Sequence, residues 1–369
     1  MSPMPVAPPD KSFDVVVIGG GQAALALGFY LRRSGLTYAI LDSQPDGGGS
    51  WQRGWASLRA FSPAQWSSLP GWLLPRSADH PEGEYPSRNE VLDYLRQYEV
   101  RYALNIIRPV RVKSVTRADD RELLVDTDSG TWTARAIINA TGGAPSIPDI
   151  RGREDFGGVQ IHSLDYATPE PFREKRVVVV GGGNSGAQIL AELTEPASGV
   201  AHVTWATREP PSFLPDDIDG RYLFDQATAR YKAQQEGRDP GPPRSLGDVV
   251  MVAPVKAARE RGDLKAVPMF ELITPSGVVW PDGTETKEDA IIWATGFKPA
   301  LDHLRPLGIV NSADRVEVGG AAGTRSLLEP RVWLVGYGNW TGYASATLIG
   351  VGRSARATVQ EIQSVLGQA

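Results

Sequence analysis

The chain has 369 residues, ten of them tryptophan, and a net charge of −5, which is length enough for two modest domains with proper cores. That charge balance gives no electrostatic case for nucleic acid or an anionic membrane surface, and no apolar run is long enough to span a bilayer. With no cysteine in the sequence, disulfides, thiolate nucleophiles, zinc–sulfur sites and CxxC redox chemistry drop out together.

The four histidines, His80, His162, His202 and His303, lack ligand spacing, so no metal site is expected. The opening MSPMPVAPPD has neither a basic n-region nor an apolar h-region. It reads as a frayed tail on a protein expected in the cytoplasm.

Residues 13–42 carry the first strong pattern. A β-branched run (Val15, Val16, Val17, Ile18) enters Gly19-Gly20-Gly21, an amphipathic segment follows through Leu25, Leu27, Phe29 and Leu31, and a second apolar run ends on Asp42. That is strand, glycine turn, helix, strand: a βαβ unit whose first turn admits a phosphate. Gly19 permits the tight turn, Gly21 the close backbone approach, and the start of the helix presents unpaired N–H groups to a pyrophosphate. Asp42 lies 23 residues after Gly19, where a carboxylate accepts hydrogen bonds from an unphosphorylated ribose. The third small position is Ala24. A plain packing turn would not need the acid.

After Gly47-Gly48-Gly49-Ser50-Trp51 comes a stretch rich in Pro, Gly and aromatics, with Trp55, Phe61, Trp66, Trp72 and Tyr85. Two readings stay open for it, a wall around a flat ring or a satellite core under a long loop. Asn89–Tyr98 reads as a helix, and Val110–Val115, Glu122–Asp126 and Thr131–Asn139 as an antiparallel meander ending in Ala140-Thr141-Gly142. Pro145, Pro148, Gly152, Gly157 and Gly158 then mark a linker.

RVVVVGGGNSGAQIL repeats the opening pattern 162 positions later, with Gly181, Gly183 and Gly186 in the full G-x-G-x-x-G frame. The following strand, 200–207, ends on Arg208 instead of an acid. A guanidinium there pairs with a 2′-phosphate, which favours NADPH over NADH; the plain alternative is a surface arginine. Residues 209–262 form an insertion with a helical piece around 223–236, a candidate lid or substrate-side wall. Strands return at 270–274, 277–280 and 290–293, the last running into Ala294-Thr295-Gly296, a twin of Ala140-Thr141-Gly142. Val332–Val335 is a further strand before Gly336-Tyr337-Gly338, and residues 343–362 read as a long helix. The expected fold is α/β: two Rossmann-like dinucleotide-binding domains with three-layer ββα architecture, the second inserted in the first. The first would comprise residues 1–165 and 296–369, the second 166–295.

The chain resembles the class B flavoprotein monooxygenases. The resemblance rests on the two nucleotide turns, the paired Ala-Thr-Gly strand ends, the Gly-Gly-x-Trp after Asp42, and FGGVQIHSLDY over 156–166, which fits F-x-G-x-x-x-H-x-x-x-[W/Y/F]. It covers residues 12–365. Tyr166 at the last position resembles the heteroatom-oxidising flavin-containing monooxygenases. FSPAQWSSLPGW, LPDDIDGR, YKAQQEGR and GNWTGYASATLIGVGR resemble the small bacterial monooxygenases found beside arsenic-resistance genes.

The resemblance implies FAD at Gly19, Gly21, Ala24, Asp42, Gly48, Gly49, Trp51 and the 336–341 turn. It implies NADPH at Gly181, Gly183, Asn184, Ser185, Gly186 and Arg208, with Gln22, Ala23, Ser50, Ala140, Thr141, Gly142, Ala294, Thr295, Gly296, Gly338 and Thr341 as further cofactor-binding positions. His162 would orient the linker rather than act as an acid, with Tyr166 beside it. Where larger members carry an Asn near the flavin, this chain has Phe61 or Ser62, a departure from the family's direct side-chain stabilisation of the oxygenated flavin. Gly336-Tyr337-Gly338 lacks the Asp common in related disulfide reductases, which leaves contacts there to the backbone. The implied reaction is hydride transfer from NADPH to FAD, reaction with O2 to a C4a-hydroperoxyflavin, and oxygenation of a soft N, S or As centre of a small molecule. The alternatives are an NADPH oxidase releasing H2O2, an electron-transfer flavoprotein reductase, or a flavin-binding redox sensor. A homodimer is the family-like expectation.

Overall fold

The computed structural model describes residues 11–76 and 85–367, apart from residue 343 and much of 217–247. The chain divides into two compact units: Met1–Gln52, Pro63–Ala144 and Pro299–Ala369 form the first, Arg53–Ser62 and Pro145–Lys298 the second.

The centre of the first unit is a parallel run of strands in the order Val332–Leu334, Gly130–Asn139, Ser12–Ile18, Tyr38–Leu41, Ile106–Ile107. Alternation along these strands feeds two separate cores. Val15, Val17, Ile40, Ala136, Ile138 and Trp333 face one side, where they pack with residues of helices Gln22–Leu31, Arg88–Arg101 and Val351–Gly367. Val16, Ile18, Leu41, Ile137 and Leu334 face the other, against the meander residues Val115, Leu123 and Val125 and the 302–307 turn. Helices, parallel sheet and meander are therefore three layers, the α/β class expected. A sheet buried on both faces reads as unbroken Val/Ile runs because neither parity can be polar. Each such buried side chain contributes about 1.5–3 kcal/mol.

The second unit has a wholly parallel sheet, ordered Ala266–Pro268, His202–Thr207, Arg176–Val180, Ala290–Trp293, Val159–His162. Val178, Val180, Ile291 and Trp293 pack on one face with Phe270, Ile273 and Val278 of the hairpin sheet Leu272–Thr274, Gly277–Val279, Glu285–Lys287. Helix Asn184–Leu193 packs against the strands and against helix Ala253–Arg261.

Several boundaries differ from the sequence reading. Residues 145–165, expected in the first domain, cluster with the second unit because Val159–His162 pairs with Ala290–Trp293. Residues 53–62 join the second unit too: Ala56 N–H donates to the Ala167 carbonyl at 3.0 Å and Gly220 N–H to that of Phe61 at 2.9 Å. The last helix begins at Val351, not 343, since Gly350 closes a tight turn in which a Cβ would come 2.1 Å from the Ala344 carbonyl oxygen. The strand Glu285–Lys287 was not expected. The helical piece expected over 223–236 falls largely outside the described residues. In the aromatic-rich stretch, Leu69 and Leu74 belong to the first unit's core. The Tyr94 hydroxyl accepts from Leu69 N–H and donates to the Trp72 carbonyl, which favours the satellite-core reading for 69–74.

Candidate functional sites: two matching crevices

Strand register builds the first crevice. Ile18 is paired with Leu41 on one side and Asn139 on the other, so Gly19, Asp42 and Ala140 emerge together at the carboxyl edge. Gly19 has φ +101, and a Cβ on it would lie 2.6 Å from the Ala140 carbonyl oxygen. Gly21 then starts helix Gln22–Leu31 without any side-chain cap, which leaves first-turn N–H groups for an anion. Gly49 packs backbone to backbone on Gly21: a Cβ on Gly49 would come 2.7 Å from the Gly21 Cα. Uncapped helix donors beside closely packed glycine backbone are a setting that suits a pyrophosphate.

The side chains around it are committed. Gln22 donates to the Ala346 carbonyl at 2.7 Å and accepts from Trp51 Nε1 at 3.2 Å, so these two expected contacts also hold each other. Ala24 is fully buried and cannot reach a cofactor. It serves helix–sheet packing, the ordinary work of the third small position. Thr141 Oγ1 donates to the Ala300 carbonyl at 2.7 Å and sits 2.9 Å from the Tyr337 hydroxyl. Tyr337 accepts from Asn139 Nδ2 at 2.7 Å, and Asn139 Oδ1 lies 2.8 Å from His303 Nε2. Burial pushes the His303 imidazole down to about 4, so it is neutral and Nε2 carries the proton donated to the amide. Thr341 Oγ1 accepts from Tyr337 N–H at 3.0 Å, so its side chain closes the 337–341 turn.

Sequence reasoning missed Arg108 and Glu99. Arg108 Nε donates to Asp42 Oδ2 at 2.8 Å, while its two terminal nitrogens donate to the two oxygens of Glu99 at 2.7 and 2.8 Å. Burial opposes the charge on Arg108, but hydrogen bonds and charges from Glu99 and Asp42 outweigh it and raise the guanidinium pKa. The sequence offered only the apolar pair Ile106-Ile107; in the structure it is a two-residue parallel strand with Ile107 opposite Leu41, which brings the next residues, 108 and 42, side by side.

The second crevice repeats the first. Val180 pairs with Ala206 and Trp293, Gly181 has φ +126, and its Cβ would lie 2.2 Å from the Ala294 carbonyl oxygen. Each Ala-Thr-Gly thus presses its alanine carbonyl onto the first glycine of its own turn. Gly183 starts helix Asn184–Leu193 uncapped, and a Cβ there would meet nothing within 4 Å. Gly186 is a packing position, its Cβ direction filled by the Gly181 carbonyl at 2.1 Å. Gly181, Thr207, Arg208, Glu209, Ser212 and Ala294 help to line a cavity of about 550 Å³. Arg208 is exposed. Asn184, expected at the cofactor, is bound to the insertion instead: Nδ2 donates to the Asp248 carbonyl at 3.0 Å and Oδ1 accepts from Val250 N–H at 2.8 Å. Thr295 Oγ1 donates to the Ser146 carbonyl.

The four expected catalytic positions all lie in the second unit. His162 accepts from Leu164 N–H through Nδ1 at 3.1 Å, and Nε2 donates to the Gly296 carbonyl at 2.9 Å. Burial lowers its pKa, against the Gly296 hydrogen bond. With both nitrogens engaged it is a neutral tie between linker and strand end. Tyr166 is buried and its hydroxyl donates to Glu192 at 2.9 Å, anchoring the linker to the second helix. Trp55 packs edge-on against Tyr166. The Phe61 ring meets Phe224 at 6.0 Å, and Ser62 is buried. Among the described residues no group of His, Asp and Glu stands ready for a metal ion, and no helix is long and apolar enough to cross a membrane.

Comparison with known proteins sharpens this geometry. A family model described as pyridine nucleotide-disulphide oxidoreductase matches residues 16–218. A flavin-containing monooxygenase from Stenotrophomonas maltophilia superposes with a TM-score of 0.85 at 49% identity, covering 96% of this chain and 99% of that one. An uncharacterized CzcO-like oxidoreductase from Geobacillus kaustophilus is 30% identical over 299 residues, 77% of this chain and 80% of its own. A bacillithiol disulfide reductase from Bacillus cereus, at 20% identity and TM-score 0.71, covers 96% of this chain and 99% of its own; it shares the fold alone.

Proposed function

The chain belongs to the pyridine nucleotide-disulphide oxidoreductase family, and on that premise we propose that it is an NADPH-consuming monooxygenase acting on a soft heteroatom of a small molecule. At the coarser level it is an oxidoreductase of the flavin monooxygenase kind that uses FAD and NADPH. The observation that carries the reading is the duplicated crevice, with Gly19 on Ala140 and Gly181 on Ala294, each opening onto an uncapped helix.

FAD, when bound, supplies hydride acceptance from NADPH and activation of O2. The protein's own part is positioning. Gly21 and Gly49 let the backbone pack closely beside the uncapped helix start, Asp42 offers acceptors to a ribose, and Arg208 offers a cation to a 2′-phosphate. His162 and Tyr166 fix the linker, and neither holds a free proton for transfer. Among the described residues no side chain is set up as a nucleophile or acid–base pair, which favours an acceptor that is itself nucleophilic, an amine nitrogen, sulfur or arsenite, over a carbonyl. The reading places the enzyme in the cytoplasm, where NADPH is supplied.

The test is stopped-flow absorbance of the reduced protein mixed with O2, with and without NADP+, beside product and H2O2 per NADPH consumed. A flavin C4a-adduct band that persists only with NADP+, and product matching NADPH, is the expected result. Full release of H2O2 with every amine, sulfide and arsenite tried would favour an NADPH oxidase. That second reading draws on Phe61 or Ser62, neither of which brings a carboxamide to the position where the family resemblance leads one to expect it.

A further inference from the structure

We propose that Arg108 is the positioning residue for the ribose-binding acid of the first crevice: it fixes the Asp42 rotamer so that the two carboxylate acceptor directions taking no hydrogen bond from the protein are left for the adenosine ribose of FAD. The proposal rests on the FAD reading of that crevice and adds to it a residue outside every nucleotide motif.

The acceptor count carries it. A carboxylate offers about four lone-pair directions. Asp42 Oδ2 accepts from Arg108 Nε at 2.8 Å, and Oδ1 accepts from Gln44 N–H at 3.2 Å. Two directions remain, the number that the two hydroxyls of a ribose require. The rotamer is held from both sides. Behind it, a Cβ on Gly20 would lie 2.2 Å from Asp42 Oδ2, so the carboxylate backs directly onto the glycine turn. In front, Arg108 cannot swing, because Glu99 grips both of its terminal nitrogens at 2.7 and 2.8 Å. Side-chain exposures of 6% for Asp42 and 14% each for Arg108 and Glu99 place all three away from bulk water. Without the guanidinium, two sheltered carboxylates would face each other with no cation between them, and Asp42 would lose the contact that selects its rotamer. Lysine keeps the charge but cannot span both acids with a planar fork.

The experiment uses the full chain stripped of flavin and titrated with FAD, or with an FAD whose adenosine ribose lacks the 2′-hydroxyl, read by flavin fluorescence. The wild-type protein should bind the deoxy analogue about ten-fold more weakly, the scale of one hydrogen bond to a charged group. In Arg108→Gln and Arg108→Lys, FAD should bind roughly ten- to a hundred-fold more weakly and the two flavins should bind nearly alike. A purely structural role would weaken both ligands equally and keep the wild-type ratio, which overturns the proposal. Should those variants fail to fold, Glu99→Gln keeps the Arg108–Asp42 pair but frees the fork. Its ratio should fall part-way, and an unchanged ratio again overturns the assignment. Wild-type protein that binds FAD without a deoxy penalty removes the ribose role of Asp42 and the proposal with it. Wild-type protein that takes up no FAD refutes the functional reading itself.

Discussion

Substituting alanine at Gly181 and at Gly183 separates folding from binding within three residues of one turn. At Gly181 the backbone has φ +126 and the added Cβ would lie 2.2 Å from the Ala294 carbonyl oxygen. The strained conformation costs about 1–3 kcal/mol, and moving a strand end aside adds about 1–3 kcal/mol. Gly181→Ala should therefore lose about 2–6 kcal/mol of stability. At Gly183 the backbone is extended, φ −92, and the Cβ meets nothing within 4 Å. Alanine is a poorer N-cap than glycine but restricts the unfolded chain, so the net change should stay below about 1 kcal/mol. That methyl nevertheless stands where a pyrophosphate would approach the helix. Losing one charge-assisted hydrogen bond, about 1.5–3 kcal/mol, should weaken NADP+ by about ten-fold or more. Urea unfolding and NADP+ titration by calorimetry read the two effects. Gly181→Ala with wild-type stability would refute the close approach, and Gly183→Ala with wild-type NADP+ affinity would refute the cradle.

Arg208→Ala should raise the apparent KM for NADPH much more than that for NADH, and equal effects in steady-state kinetics would remove the phosphate-clamp role. Asn184→Ala removes both hydrogen bonds to the 248–250 backbone, about 1–3 kcal/mol of anchoring. Limited proteolysis within 209–262 should then quicken severalfold, and an unchanged cleavage rate would contradict the anchor. His303 sits neutral with its folded pKa near 4. The unfolded chain therefore takes up the extra proton between about 6.5 and 4, and stability rises with pH across that window. Acidification through it should cost about 3 kcal/mol. His303→Gln, which keeps an N–H for Asn139, should flatten the slope in pH-dependent urea melts, and an unaltered slope would exclude His303 as its source.

What the sequence revealed and what it hid divide along physical lines. The glycine turns, the Val/Ile runs and the Ala-Thr-Gly ends are local patterns, and local geometry decides them. The reason Ala-Thr-Gly recurs was not legible, since it depends on register bringing Ala140 beside Gly19 and Ala294 beside Gly181. Arg108 and Asp42 are 66 residues apart, and only the short strand at Ile106-Ile107 hints that they meet. The final helix was read too long because Leu348 continues its apolar pattern upstream, whereas Gly350 turns the chain there. Asn184 occupies a cofactor-like position in the motif, yet a far segment of backbone has taken both ends of its amide.

The assignment of residues 53–62 to the second unit bears on how this protein can be recombined. A chimera that exchanges 145–298 alone would keep the recipient's Trp55 and Phe61 and set them against a donor's Tyr166 and Phe224. Grafts between relatives should therefore carry both pieces as one inheritance, and libraries that cross over between them should be depleted of soluble members.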